Sequence, residues 1–396
     1  MKTLPKLNSG HRAGFSLIEL MVSITVLSML LAIVMQMLEQ MQRTWKHTRQ
    51  SVSEFKDART SFDELSRRLE QASLNAYYGY VWQTADIPGG GGKVRYGRQI
   101  TPESELQFVT GPTSVLFSNS SVKNVGSRPG HGVFFQAPFG FCIQRSKDNA
   151  SRYQFEQLNS LLNAWGYYVE FNSDEMDRPK FLNTIKNAPA PRLRYRLMEF
   201  RQPTEYLQIY KLNLRDKVSA NQKEFYKWFA DGLFGVNSPW NTATEPPASG
   251  STFFRTTRPM AENIIAMFIQ PRKPTSANNS SAKLEDLAPD FIYDTRRWQW
   301  SSSKAPNVAG SKHQLPPIMD ITFVAVDEGS FSNYMSRNNI TKVEDETVLV
   351  DNEKFVNAIK FSEDLLDLQK SLTARKLEWR IFSASIRLRE AKWIEN

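Results

Sequence analysis

Apolar positions are spread unevenly along this chain, and the densest block comes first. Residues 15–35 form a run of 21 in which Glu19 is the sole ionisable group. Apolar side chains point in every direction of a helix drawn through this run, so no side is marked for solvent. At about 1.5 Å per residue the helix spans roughly 30 Å, the thickness of a bilayer's hydrocarbon layer. Beyond it the pattern becomes one-sided. No Gly or Pro interrupts residues 38–75, where Phe55, Phe62 and Leu69 fall seven apart, as do Ala58, Leu65 and Ala72. This repeat predicts a stem helix of some 60 residues, roughly 90 Å if unbroken, with one apolar stripe. Arg59, Asp63, Arg67, Arg68 and Glu70 occupy its other faces, so the stripe is expected to pack on the protein's own sheet. Trp45, Lys46, His47 and Arg49 suit an aromatic and basic anchor at the outer interface of a membrane.

The remainder changes period again. Alternating or β-rich segments predict strands at 77–82, 106–109, 114–118, 132–143, 166–171, 192–200, 264–270, 319–326 and 379–389. A helix is expected over 353–376, with Val356, Ile359, Leu366 and Leu372 apolar and Phe361, Leu365 and Leu368 widening that face. Segments 87–92, 219–257 and 273–288 are rich in Gly, Pro, Ser and Asn and read as loops. The fold class is therefore α+β: a long N-terminal helix packed on an antiparallel sheet head with large loop insertions. The expected divisions are a leader at 1–14, a membrane helix at 15–38, a stem at 39–75 and a head at 76–396.

Composition narrows the chemistry mostly by exclusion. His11, His47, His131 and His313 are scattered, and Cys142 is the single cysteine of 396 residues, so zinc-ligand spacing and an internal disulfide are both ruled out. Cys142, within an apolar run, is expected in the core. Gly89–Gly92 followed by Lys93 lacks the Ser or Thr of a phosphate-binding loop. Asp320, Asp327 and Glu328 flank a strand with no histidine or metal set and are expected at solvated strand ends. Acids between Glu344 and Asp351 lie at calcium-like spacing but lack a Gly-centred loop. No cofactor is expected. The net charge of +9 includes Arg192, Arg194, Arg196 and Arg201, and Arg296 and Arg297 beside Trp298 and Trp300. These could hold DNA by phosphate contacts and stacking, or form the solvated side of a strand; the second reading is preferred.

Glu19 carries the most information. A carboxylate in a membrane-length helix is costly, at about 2.5 kcal/mol or more near the bilayer centre, so it needs a partner and a role. The small residues Ala13 and Gly14 precede the apolar run, whereas a secretory signal places them after it, so the helix is expected to survive processing. Lys2, Lys6, His11 and Arg12, with no acid among them, favour a cytoplasmic N-terminus.

Basic leader, Gly14, Phe15, a short apolar step and Glu19 together resemble the type IV prepilin family, which includes the type II secretion pseudopilins. The resemblance covers about the first 40 residues. It implies that a prepilin peptidase cleaves between Gly14 and Phe15 and methylates the new Phe15 amine. A residue without Cβ at Gly14 allows the peptidase to approach the extended backbone. Glu19 of an incoming subunit would pair with the Phe15 ammonium of a neighbour, since opposite charges attract strongly at low dielectric.

Many major pilins carry a proline in the mature helix where this chain has Gln36, a departure that resembles minor pseudopilins. Segments 315–328 and 383–393 are similar to the protein C family of the Verru_Chthon cassette. A looser similarity is to the J-type minor pseudopilin of type II secretion. Neither family has an assigned enzymatic activity, so the resemblance implies a structural subunit and not an enzyme. It implies a single-pass protein of the bacterial inner membrane with a periplasmic head, assembled into a pseudopilus or pilus-like fibre. Its partners would be the peptidase, other pilin or pseudopilin subunits, the inner-membrane assembly platform and the lipid bilayer. A fibre-tip module binding DNA, surface or secreted cargo is the alternative.

Overall fold

The computed structural model describes residues 16–86, 90–117, 127–144, 146, 152–175, 177–186, 188–211, 228–229, 256–272, 288–296 and 313–392, with the side chains of 46–54 and a few single positions set aside. The chain divides into two compact units, Met1–Ser53 and Glu54–Asn396.

In the first unit the described residues form the opening of helix α1 (Leu17–Leu69). Its stretch Leu17–Trp45 is long and apolar enough to cross a membrane, and none of it is buried within the protein. Hydroxyls here turn back onto the helix: Ser23 donates to the Glu19 carbonyl at 2.7 Å and Thr25 to that of Val22 at 2.8 Å. A polar side chain thus satisfies itself locally, as hydrocarbon requires.

In the second unit the closing turns of α1 bury Phe55, Ala58, Phe62, Leu65 and Leu69, and the stripe continues into buried Ala72. As expected, the stripe packs on the protein's own sheet: Phe62 meets Phe323 edge-on at 4.9 Å and lies 6.5 Å from Phe382. The helix ends at Leu69, not at Asn75. Ala72 N–H donates to the Leu69 carbonyl in a tighter turn, and Ser73 N–H is taken by the Gln136 carbonyl at 2.8 Å. Asn75, at φ 45°, then redirects the chain.

Three antiparallel sheets follow. A two-stranded ribbon joins β1 (Tyr77–Asp86) to β2 (Lys93–Glu103). A six-stranded sheet has the order β7-β6-β5-β4-β3-β9, built from β3 (Val109–Pro112), β4 (His131–Pro138), β5 (Leu162–Ser173), β6 (Leu193–Gln202), β7 (Thr257–Glu262) and β9 (Tyr293–Asp294). A three-stranded sheet has the order β11-β10-β8, from β8 (Ile264–Arg272), β10 (Ile318–Val326) and β11 (Trp379–Arg387). Between β7 and β8 the chain changes sheet at Asn263, held at φ 62°, whose N–H bonds Tyr195 of one sheet while its carbonyl accepts from Val326 of the other. β8 packs over β4, β5 and β6, and aromatic and aliphatic side chains fill the space between them.

Several expected elements are corrected. Segment 106–109 is extended but largely unpaired as a strand, because Gln107 N–H goes to Gln136 Oε1 and Phe108 N–H to Thr295 Oγ1. Of segment 114–118, residues 114–116 belong to the short helix α2 (Thr113–Leu116), which follows Pro112, and residue 118 lies outside the described residues. The strand expected over 132–143 stops at Pro138, and Gly140 turns the chain with its N–H on the Leu161 carbonyl. The late helix is shorter, α4 (Phe361–Ala374), and Leu368 and Leu372 carry its burial while Val356, Ile359 and Leu366 are exposed. Strands β2 and β7 and the helix α3 (Glu328–Arg337) stand where no element was expected. The loop at 273–287, and most of 219–257, lie outside the described residues. Within 219–257 the described residues are Trp228, Phe229, Thr256 and Thr257; Trp228 and Phe229 are buried, with Phe229 stacked on Phe134 at 4.1 Å.

Candidate assembly and processing site

The first turn of α1 carries the candidate site. Gly14 and Phe15 lie outside the described residues, as do the leader positions Lys2, Lys6, His11 and Arg12. Glu19 is described and exposed, and its Oε2 accepts from the Ser16 N–H at 3.3 Å. The first N–H groups of any helix lack intrahelical partners, and an acid in the first turn also meets the positive end of the helix dipole. Among the described residues the hydrogen bond to the Glu19 carboxylate is therefore a long one from its own helix start.

A family model described as the prokaryotic N-terminal methylation motif matches residues 10–35. This segment fits a type IV pilin-like prepilin. Neither a curated protein nor a solved structure matches the chain. The match overlaps the start of the apolar helix, and with that helix it points to membrane anchoring. A prepilin-type motif implies processing by a prepilin peptidase and assembly with other pilin subunits. It marks the protein as a structural, pilin-like substrate of that processing rather than as an enzyme.

The remaining sequence candidates resolve into structural roles. Cys142 is buried. His131 is fully buried in β4: its Nδ1 accepts from Ile269 N–H at 3.0 Å, its Nε2 faces the Phe355 carbonyl at 3.3 Å, and Phe291 packs on the ring at 4.5 Å. Burial pushes its pKa down to about 4, against the pull of the Phe355 and Ile269 carbonyls. His313 Nδ1 accepts from Ser104 N–H. Of the calcium-like acids, Asp345 accepts from Thr341 and Lys342 close by, and Glu346 binds the distant Ser127 and Tyr195. Among the described residues no group of three or more His, Cys, Asp or Glu could hold a metal ion.

Two expectations about charge are overturned. Arg194 and Arg196 are buried, not on a solvated strand face. Arg194 Nε binds Glu328 at 2.7 Å, while Arg196 reaches the Asn172 carbonyl at 2.8 Å and Glu262 at 3.2 Å. Arg201 is half-buried over the Phe141 ring at 4.9 Å, and Arg192 stays exposed. Arg297, Trp298 and Trp300 lie outside the described residues, and Arg296 bonds the Glu105 carbonyl. Of the carboxylates placed at solvated strand ends, Asp327 is buried and caps α3 through the Ser330 N–H at 2.9 Å. Burial pushes Glu328 up, but its bonds to Arg194 and Asn263 outweigh this and hold the carboxyl below its ordinary range. Asp320 pairs with Arg272 at 2.8 Å.

Sequence reasoning missed Glu199 of β6, which gathers a buried polar cluster against the closing turns of α1. It receives Arg68 of α1 at 2.6 Å and the Trp165 indole at 2.8 Å, with Arg258 also bonded and the Tyr167 hydroxyl at 3.3 Å. Burial and this carboxylate raise the Tyr167 pKa. Arg68 looked like any solvated helix charge, because its partner lies 131 residues away.

Proposed function

We propose that the protein is a minor pseudopilin or pilin-like subunit. Prepilin peptidase removes residues 1–14 between Gly14 and Phe15 and methylates the Phe15 amine. The helix over 15–38 holds the subunit in the bacterial inner membrane, N-terminus cytoplasmic, until an assembly platform draws it into a type II secretion or type IV pilus-like fibre. During that transfer Glu19 of the incoming subunit pairs with the Phe15 ammonium of a neighbour and sets the register between stacked helices. The stem at 39–75 and the head at 76–396 occupy the periplasm. The similarities at 315–328 and 383–393 favour the Verru_Chthon protein C family, and the enlarged β head favours a J-type position among minor subunits.

The observation that supports this reading is the methylation motif at residues 10–35, overlapping an apolar helix with a lone acid in its first turn. Intact-mass and N-terminal peptide analysis of membranes, with and without the peptidase, tests it. Wild type should yield a methylated Phe15 N-terminus, and Gly14→Ala should retain the leader. An intact leader in every sample would leave an ordinary signal anchor and refute the proposal.

A further inference from the structure

The β1–β2 ribbon has the surface of a ligand platform. Along β1, residues 78, 80 and 82 share one face because side chains alternate across a strand. Tyr78, Tyr80 and Trp82 are 62%, 56% and 51% exposed. The register places Pro102, Ile100 and Gly97 opposite them, then Arg95 opposite Thr84 and Lys93 opposite Asp86. Gly97 has a steric reason: a Cβ there would approach the Tyr80 ring at 3.0 Å. The Tyr80 and Trp82 rings lie 5.8 Å apart, and the Arg95 guanidinium stacks on Trp82 at 4.9 Å. Arg98 stands at the bulge between the paired residues Gln99 and Gly97.

A two-stranded ribbon is marginally stable alone in water, so so much exposed aromatic surface is an unfavourable arrangement unless something covers it. The charges identify the class of cover. Three cations, Lys93, Arg95 and Arg98, outnumber Asp86 on or beside this face, and Glu103 lies against Gly79 on the opposite one. Aromatic rings on one strand and cations on its neighbour reproduce the two elements that hold unpaired nucleotides, stacking platforms and a basic track. Alternate residues along a strand are about 6.6 Å apart, and the Tyr80 and Trp82 rings at 5.8 Å are likewise spaced well beyond the ~3.4 Å rise per nucleotide of a stacked strand. Bases would therefore be splayed, one to a ring.

We propose that this face of the β1–β2 ribbon binds single-stranded nucleic acid, its bases on Tyr78, Tyr80 and Trp82 and its phosphates on Lys93, Arg95 and Arg98. The basic residues first singled out for DNA are excluded from this role at Arg194 and Arg196, which are buried in ion pairs. The proposal goes beyond the assembly role and does not depend on it.

Fluorescence anisotropy of a labelled oligothymidylate with the full chain in detergent micelles is the test. Binding should weaken roughly ten-fold between about 50 and 200 mM salt, as expected for about two or three phosphate contacts. Tyr80→Ala and Trp82→Ala should each weaken it about ten-fold, and Tyr80→Phe should retain it. Arg95→Glu should weaken it and flatten the salt dependence. These side chains are exposed, so each variant should melt as wild type does and should still be processed at Phe15. A halogenated-uracil strand should photo-crosslink to 78–82 in the unaltered protein. Absence of binding, a duplex bound as tightly as the strand, or a neutral glucan oligosaccharide bound instead would overturn the proposal. So would affinity unchanged in both alanine variants.

Discussion

His131 shows how one side chain ties the head together. It sits in β4 of the six-stranded sheet and accepts a hydrogen bond from β8 of the three-stranded one. Only the neutral ring can do so, since Nδ1 must be bare to accept. The unfolded chain binds a proton near pH 6.5 and the folded one near pH 4, so between those values the unfolded state holds more protons. Stability is then full above about pH 6.5 and falls as pH drops towards 4, by about 3 kcal/mol in all. Thermal melts from pH 7 to pH 4 should show this decline, and His131→Gln, less stable at neutral pH, should show a flatter one. Nothing in the local pattern announced this arrangement: a lone histidine beside Gly132 carries no periodic signal, and both its partners are backbone groups at least 138 residues away. Arg194 and Arg196 misled for the same reason. Alternation with Leu193, Tyr195 and Leu197 was correctly read as a strand, but their acids, Glu328 and Glu262, come from distant segments. Local pattern reports which way a side chain points, not what waits there.

Elements with a one-sided apolar stripe, an alternating pattern or a β-rich run were legible. Phe55, Phe62 and Leu69 announced the buried side of α1 because a heptad can only be a helical stripe, and β5, β6, β8 and β10 each contain a segment read as a strand from its β-rich run. Phe62→Ala should cost about 3–5 kcal/mol, the range for removing a buried ring, since its ring fills the contact with Phe323 and Phe382. Urea denaturation should register this as a lower midpoint with the slope unchanged. Strand β2 was illegible: both strands of the ribbon are largely exposed, and where β1 carries a run of aromatic and β-branched residues, β2 interleaves charges, Gly97 and Pro102 with fewer such residues. Helix ends and strand ends also escaped, because Ser73, Gln107 and Phe108 hand their N–H groups to partners outside their own elements.

At the scale of the whole molecule, an N-terminal segment shared with pilin-like prepilins precedes a head that matches no solved structure. The two parts should fail separately. Glu19→Gln removes a charge without touching the head, so on the assembly proposal it should leave Phe15 processing and the melting of the head unchanged. Recovery of the subunit in sheared fibres should fall at least ten-fold. Equal recovery of mutant and wild type would mean that register is set elsewhere.

Trp228 and Phe229 carry a consequence for how the head tolerates change. They are the described residues within a long insertion between Lys211 and Thr256, and they stack among Phe134, Phe117 and Phe200 while the Trp228 indole donates to Gln107 at 3.0 Å. A segment that reads as an optional decoration thus supplies two of the largest side chains in the core. Loss of this dipeptide would hollow out the centre of the six-stranded sheet. Two residues from a stretch that local composition marks as loop are in that sense an internal part of the fold.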